Sequence, residues 1–182
     1  MKRGKIMAEK YLIVVDMQND FTYDALGTQE AQAIVDRVVQ KVQNFSGKVI
    51  YTLDTHQPDY METQEGKMLP VPHCIKDTHG WQLIDPLLSL QKQNNNLVFE
   101  KGTFGSVDLA QYIVNQYKQG NVESVELIGV CTDICVISNA LLIKAYLPEL
   151  QIYVDSACCA GVTTEKHNAA IETLKSCQII VE

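Results

Sequence analysis

Four short apolar runs in this sequence end in side chains that can carry a charge, attack a carbon or hold a metal. Asp16 follows YLIVV, Asp54 and His56 follow VIYTL, Lys101 follows LVFE, and Cys131 and Cys135 follow VELIGV. If the runs are parallel strands, these residues gather beyond the strands' carboxyl ends, where the chain turns into helices. Cys135 lies in GVCTDICV, at such a turn, where unpaired backbone N–H groups and the helix dipole favour a thiolate and could hold an oxyanion. Most intracellular cysteines are small packing residues, so position rather than type singles it out. A neutral thiol needs a proton acceptor, and the amine leaving an amide needs that proton back. One carboxyl group tuned by a nearby cation can do both. Asp16 and Lys101 have the right types, although taken alone they read at least as readily as a buried structural ion pair.

Asp54 and His56 stand two residues apart, so a strand-like segment points both to one side, as joint metal ligation requires. His73 and Glu65, further along, could complete a nitrogen and oxygen set suited to zinc, iron or manganese. Their plainer readings are a hydrogen-bonded surface histidine and a solvated carboxylate. His79 and His167 are expected in non-ligand roles, His167 on a helix. Phe21 and Trp81 are the aromatics nearest these positions; either could cover a flat substrate ring, and either could simply pack in the core.

The elements that must position these residues follow from periodicity. Apolar, β-branched runs at Tyr11–Val15, Lys48–Leu53, Leu97–Phe99, Val125–Val130, Gln151–Val154 and Gln178–Val181 have the length of buried strands. Ala31, Val35, Val38, Val42 and Phe45 follow helical spacing, as do Ala110, Ile113, Val114 and Tyr117. The stretch Ile134–Leu147 is apolar on nearly every side before Pro148, which predicts a helix buried against the sheet and against other helices or another subunit. Thr164–Ser176 reads as the last helix. This alternation predicts an α/β fold, a three-layer α/β/α sandwich with a central, mostly parallel six-stranded sheet of Rossmann-like type. Thr55–Gly80 is a long connection, and such loops in compact domains are usually functional.

The 182 residues, 46% of them hydrophobic, suffice for a single domain spanning 1–182. Residues 1–10 are expected as a flexible N-terminal extension, with Met7 an alternative start. Against 22 acidic residues stand 15 basic ones, for a formal charge of −7 and a pI near 5.1. That is the wrong sign for a nucleic-acid partner. The apolar run before Asp16 is too short for a signal peptide or membrane span, so the expectation is a cytoplasmic protein without a membrane partner. The six cysteines are accordingly read as free thiols.

Five segments, VDMQNDF at 15–21, LDTH at 53–56, PHCIKDTHGW at 72–81, FEKGTFGS at 99–106 and GVCTDICV at 129–136, resemble the isochorismatase-like cysteine hydrolases, within them the nicotinamidase/pyrazinamidase branch. The resemblance runs from about Tyr11 to the C-terminus. It implies Cys135 as nucleophile, Asp16 as general acid/base and Lys101 as the supporting cation. It further implies a cis peptide between Val130 and Cys131, with the N–H groups of Cys131 and Cys135 as oxyanion donors. Asp54, His56 and His73 would hold a divalent metal, zinc first and iron or manganese next, with Glu65 where some members place another ligand. Phe21 matches the aromatic contact to the substrate ring, and Cys131 meets the substrate through its backbone. Two departures stand out. LPVPHC at 69–74 lacks the aromatic residue these enzymes commonly carry before the metal histidine, and Cys131 replaces a small residue, placing a second oxidisable thiol near the nucleophile.

The resemblance thus implies a metal-dependent nicotinamidase acting in NAD salvage, with a homo-oligomer plausible from the apolar helix. A related amidohydrolase acting on a ureido or carbamoyl compound is the alternative that the altered wall before His73 suggests. Isochorismate hydrolysis ranks below both, since those relatives do not need this nucleophile and metal set. A non-catalytic ligand-binding module on the same fold is the reading from a different class; it predicts a missing catalytic group.

Overall fold

The computed structural model describes residues 8–182. Six strands form one sheet in the order β3-β2-β1-β4-β5-β6, every neighbouring pair parallel. They are β1 (Glu9–Val15), β2 (Lys48–Asp54), β3 (Leu97–Lys101), β4 (Val122–Val130), β5 (Gln151–Ala160) and β6 (Ile180–Val181). The sheet is wholly rather than mostly parallel. Its order reverses between β1 and β4, which makes their carboxyl ends the place where a ligand crevice opens.

Alternate residues of β1 feed two cores. Tyr11, Ile13 and Val15 pack with α5 (Val107–Lys118), α6 (Ile137–Tyr146) and α7 (Thr164–Ser176). Leu12 and Val14 pack with α2 (Gln29–Asn44) and α4 (Asp85–Asn94). Both faces are therefore covered, and the three layers expected from the sequence are present. Ser106, Thr28 and Thr163 cap the N-termini of α5, α2 and α7, each accepting a hydrogen bond from a backbone N–H in the first turn.

Several boundaries differ from the sequence reading. Glu9 and Lys10, assigned to the flexible extension, belong to β1; the rest of that extension through Met7, and the question of a start at Met7, lie outside the described residues. β5 runs on through DSACCA to Ala160, although its register with β4 shifts there: Leu127 pairs with Val154 and Gly129 with Cys159, so residues 155–158 bulge between them. The expected strand at Gln178 begins only at Ile180, because Gln178 takes a left-handed turn at φ 64°. The helix expected from Ile134 is split: Thr132–Val136 forms a π-helical turn, and regular α6 starts at Ile137.

The long connection is folded rather than loose. It carries a 3₁₀ turn at Tyr60–Glu62 and α3 (Gln64–Met68), and the N–H of His56 donates to Cys74 O while that of Lys76 donates to His56 O, both at 2.9 Å. A four-residue helix, α1 (Asn19–Thr22), follows β1. No helix among the described residues is long and apolar enough to cross a membrane.

Candidate active site

The strand ends meet as the periodicity predicts. Asp16, just past β1, has φ 48°, a left-handed turn that swings the chain off the sheet. Thr52 of β2 fixes its carboxyl group, its hydroxyl donating to Asp16 Oδ1 at 2.6 Å. Lys101 at the end of β3 reaches across β2: its Nζ lies 2.7 Å from Asp16 Oδ2, 3.1 Å from Asp54 Oδ1 and 3.5 Å from Cys135 Sγ. The Asp16 Oδ2 contact is one of charge, without an aligned hydrogen bond, so that oxygen keeps a lone pair to offer. All five side chains are buried.

Burial sets the protonation states. It raises Asp16 above the usual carboxylate range, with Lys101 opposing and Asp54 assisting. It also pushes the Cys135 thiol well up; Asp16 adds to this and Lys101 opposes it. For Lys101 burial favours the neutral amine, but the charges of Asp16, Cys135 and Asp54 outweigh it and hold the ammonium. The resting arrangement is a neutral thiol beside a carboxyl group and a fixed cation.

Behind the thiol, Gly129 has φ 112°, and a Cβ there would lie 2.2 Å from Val15 O, so only glycine lets β4 approach β1 so closely. The Val130–Cys131 peptide is cis. Cys131 O then accepts from the N–H groups of Ile134 at 3.1 Å and Val136 at 3.0 Å, which closes the π-helical turn carrying Cys135.

Asp54 also faces the other way. Its Oδ2 lies 3.0 Å from His56 Nε2 and 3.6 Å from His73 Nε2, and one ligand atom from each of the three residues lies within 4.8 Å of the others. His73 commits Nδ1 to Val71 O at 2.8 Å, leaving Nε2 to face the site. His56 Nε2 is buried and has no aligned hydrogen bond despite its nearness to the carboxylate. Two imidazole nitrogens and a carboxylate oxygen aimed at one point fit a divalent ion of the zinc class. Although burial alone would raise it, Asp54 is held well below the usual carboxylate range by the nearby His56 and His73 imidazoles and by the Lys101 charge. Glu65, on α3, stands 3.7 Å from His56 Nε2 and 3.9 Å from His73 Nε2, outside the tight trio.

Between thiol and trio lies a cavity of about 290 Å³, walled mostly by apolar residues that include Phe21, Leu69, Phe104 and Ile134. Asp54, His73 and Cys135 reach it from the floor. The isochorismatase domain model matches residues 10–182, nearly the whole chain. The chain belongs to the isochorismatase family.

Within that family it is similar to the nicotinamidase/pyrazinamidase PncA of Bacillus subtilis, whose crystal structure superposes with a TM-score of 0.82 at 28% identity, covering 95% of this chain and 98% of that one. The nicotinamidase/pyrazinamidase of Mycobacterium tuberculosis is 27% identical over 190 residues, covering 92% of this chain and 95% of its own length. The pyrazinamidase of Pyrococcus horikoshii in complex with zinc superposes with a TM-score of 0.77 at 26% identity, over 96% and 98% of the two chains.

Of the residues singled out in this family member, Asp16, Lys101, Cys135, Asp54, His56 and His73 come together, Glu65 stands at the edge, and Phe21, Val130 and Cys131 line the cavity. Trp81 does not line it. Its Nε1 donates to Thr55 Oγ1 at 2.8 Å and its ring packs against the α2 core. His79 lies at the surface near Asp24, and His167 pairs with Thr132.

Sequence reasoning missed the residues that hold the others still. Gln18 donates to the carbonyls of Asp54 and Trp81 and accepts from Asp54 N–H, each at 2.8 Å. Asp20 takes the N–H of Cys74 at 2.7 Å, anchoring the segment that follows His73. Asn139 donates to Cys135 O at 2.8 Å and Phe104 O at 3.2 Å, and accepts from Ser106 N–H at 2.9 Å. A signal existed for Asn139, a polar residue one turn after the cysteine inside a mostly apolar helix. None existed for Phe104, whose role depends on how the loop after β3 folds.

Proposed function

We propose that this chain is a metal-dependent nicotinamidase, converting nicotinamide to nicotinate and ammonia through a thioester on Cys135. The observation that carries the reading is one cavity, with room for an aromatic ring, that has a thiol, carboxyl group and ammonium at one end and an Asp-His-His trio at the other. The nicotinamidase relatives, similar over nearly their full length, support the substrate class.

Asp16 accepts the Cys135 proton as sulfur attacks the amide carbonyl, and the N–H groups of Cys131 and Cys135 hold the oxyanion. Lys101 stabilises the carboxylate and the sulfur as charge moves between them. The proton passes from Asp16 to the amide nitrogen, the C–N bond breaks, and ammonia leaves. Water then gives a proton to Asp16 and attacks the thioester; the C–S bond breaks and sulfur recovers the proton. Phe21 and the other apolar walls hold the ring and limit water. A zinc, iron or manganese ion held by Asp54, His56 and His73, with Glu65 or water completing the shell, would supply a Lewis-acid contact that orients a ring nitrogen.

One domain spanning the chain, a cytoplasmic setting and a homo-oligomer belong to the same reading. For the last, α6 leaves Tyr146 exposed and Leu141 and Leu142 half-buried. A second reading, hydrolysis of another small amide such as a ureido or carbamoyl compound, is favoured by one observation: Leu69, not an aromatic residue, forms the wall before His73.

The test is ammonia release from nicotinamide and pyrazinamide by purified protein, before and after chelation, with Cys135→Ala as control. Release that needs both Cys135 and metal is expected. A reduced, metal-loaded protein that leaves both amides intact and cleaves a ureido compound would transfer the assignment to the second reading.

A further inference from the structure

On the side of the thiol away from the metal trio, the turn that carries Cys135 is tied to the start of α7 by two hydrogen bonds. Asp133 Oδ1 accepts from Val162 N–H at 3.0 Å, and Thr132 Oγ1 shares a hydrogen bond of 2.8 Å with His167 Nδ1. The two segments touch so closely that a Cβ on Gly161 would lie 2.7 Å from His167 N and 2.8 Å from Asp133 Oδ1. Thr132 is fully buried, and His167 is the sole side-chain partner of its hydroxyl among the described residues. Burial lowers the His167 pKa while Asp133 opposes, which keeps the ring neutral and able to share one proton with the hydroxyl.

Thr132 occupies a sensitive place. It follows the cis peptide and lies inside the bracket closed by Cys131 O, between the two N–H groups assigned to the oxyanion. Any rotation of Thr132 moves both donors, and such donors act only within about 2.7–3.1 Å of the developing charge. His167 itself is not part of the cavity wall, so it meets no substrate.

We propose that His167 is a positioning residue for the reaction: through Thr132 it fixes the backbone that carries the oxyanion donors. The inference rests on the reading of Cys135 as the nucleophile of an amidase. It separates His167 from its neighbour Lys166, which lines the cavity and would affect substrate binding instead.

The experiment is steady-state kinetics on nicotinamide with the zinc-loaded full chain, comparing wild type, His167→Ala, His167→Asn and Thr132→Val. Asparagine can place a polar atom near the position of Nδ1. The expected result is a kcat lowered about 10- to 100-fold in His167→Ala with KM within about threefold, and most of kcat recovered in His167→Asn. Thr132→Val should match His167→Ala, and the double variant should be no worse than either single one, because both break the same bond. Equal losses in the alanine and asparagine variants, or a change confined to KM, would overturn the inference. Wild-type turnover with an unchanged kcat in His167→Ala overturns it alone. A wild type that hydrolyses no amide removes the proposed function, and this inference with it.

Discussion

Two places in the molecule hold a lysine between two carboxylates. At the strand ends, Lys101 lies 2.7 Å from Asp16 and 3.1 Å from Asp54, with side chains 1%, 0% and 6% exposed. Across the α2 face of the sheet, Lys41 lies 2.5 Å from Glu126 and 3.0 Å from Asp155, with side chains 28%, 14% and 16% exposed. The charge count is the same, and what differs is water. Around Lys41 solvent shares the charges, so the cluster ties α2 to β4 and β5 and contributes little. Around Lys101 solvent is excluded, each group depends on its neighbours, and burial raises Asp16 while Asp54 is held low. Two carboxylates pushed in opposite directions by their surroundings can take different tasks, proton transfer for one and metal ligation for the other. In the proposed mechanism a cysteine within 3.5 Å of the lysine makes the buried cluster a reaction centre; the Lys41 cluster, near Cys158, borders an open hollow at the surface.

The sharpest test of that contrast is removal of each cation. Lys101→Met should lower kcat/KM for nicotinamide by about 10³-fold or more, since it leaves two buried carboxylates uncompensated beside the thiol. Lys41→Met should leave kcat/KM within about twofold. Comparable losses in the two variants would erase the distinction between the clusters. Metal removal comes next in size. Chelation, or His56→Ala, should lower turnover by about 10- to 100-fold while leaving the Cys135 environment intact, and zinc should restore the chelated protein. Isothermal titration with zinc gives the independent readout: tight binding to wild type and a weakening of about 100-fold in His56→Ala.

How much of this was legible beforehand depends on where the information lies. The six strands and the convergence of Asp16, Asp54, Lys101 and Cys135 follow from period and from the rule that parallel strands share one carboxyl edge. α4 was missed: Leu87 is its one buried residue, so it shows hardly any stripe, and Pro86 in its first turn reads as a break although that is where proline is tolerated. α3 was hidden for a related reason, five residues being too few for a period, although Thr63 caps it through Gly66 N–H. Gln18 was invisible as a site residue because its partners, backbone groups of Asp54 and Trp81, are brought close only by folding. Lys101 was readable as a cation near Asp16. That it also contacts Asp54, and so joins the two ends of the cavity, required coordinates.

The pH profile probes the buried cluster more gently. The proposed mechanism needs Asp16 ionised and Cys135 protonated, and burial raises both groups. As pH falls, kcat/KM should therefore decline through a midpoint above the ordinary aspartate value of 3.8. The alkaline side should show no loss from thiol ionisation near neutrality. A profile flat down to about pH 4 would remove Asp16 as the base.

The smallest effect concerns the exposed cluster. Asp155 has its pKa lowered in the fold: burial raises it, but hydrogen bonding and charge from Lys41 prevail. A carboxylate whose folded pKa lies below its unfolded value contributes stability above the unfolded value, here 3.8, and loses it as pH falls through the folded one. Lys41 is raised against its own burial by Glu126 and Asp155, so its contribution persists to well above pH 10. Lys41→Met should thus cost about 1 kcal/mol or less, constant from about pH 5 to 10 and shrinking below about pH 4. Urea unfolding of both proteins at pH 7 and pH 3 measures it. A gap well above about 1 kcal/mol at pH 7 would mean that the cluster's charges are not shared with water, and that solvent is not what separates it from the cluster around Lys101.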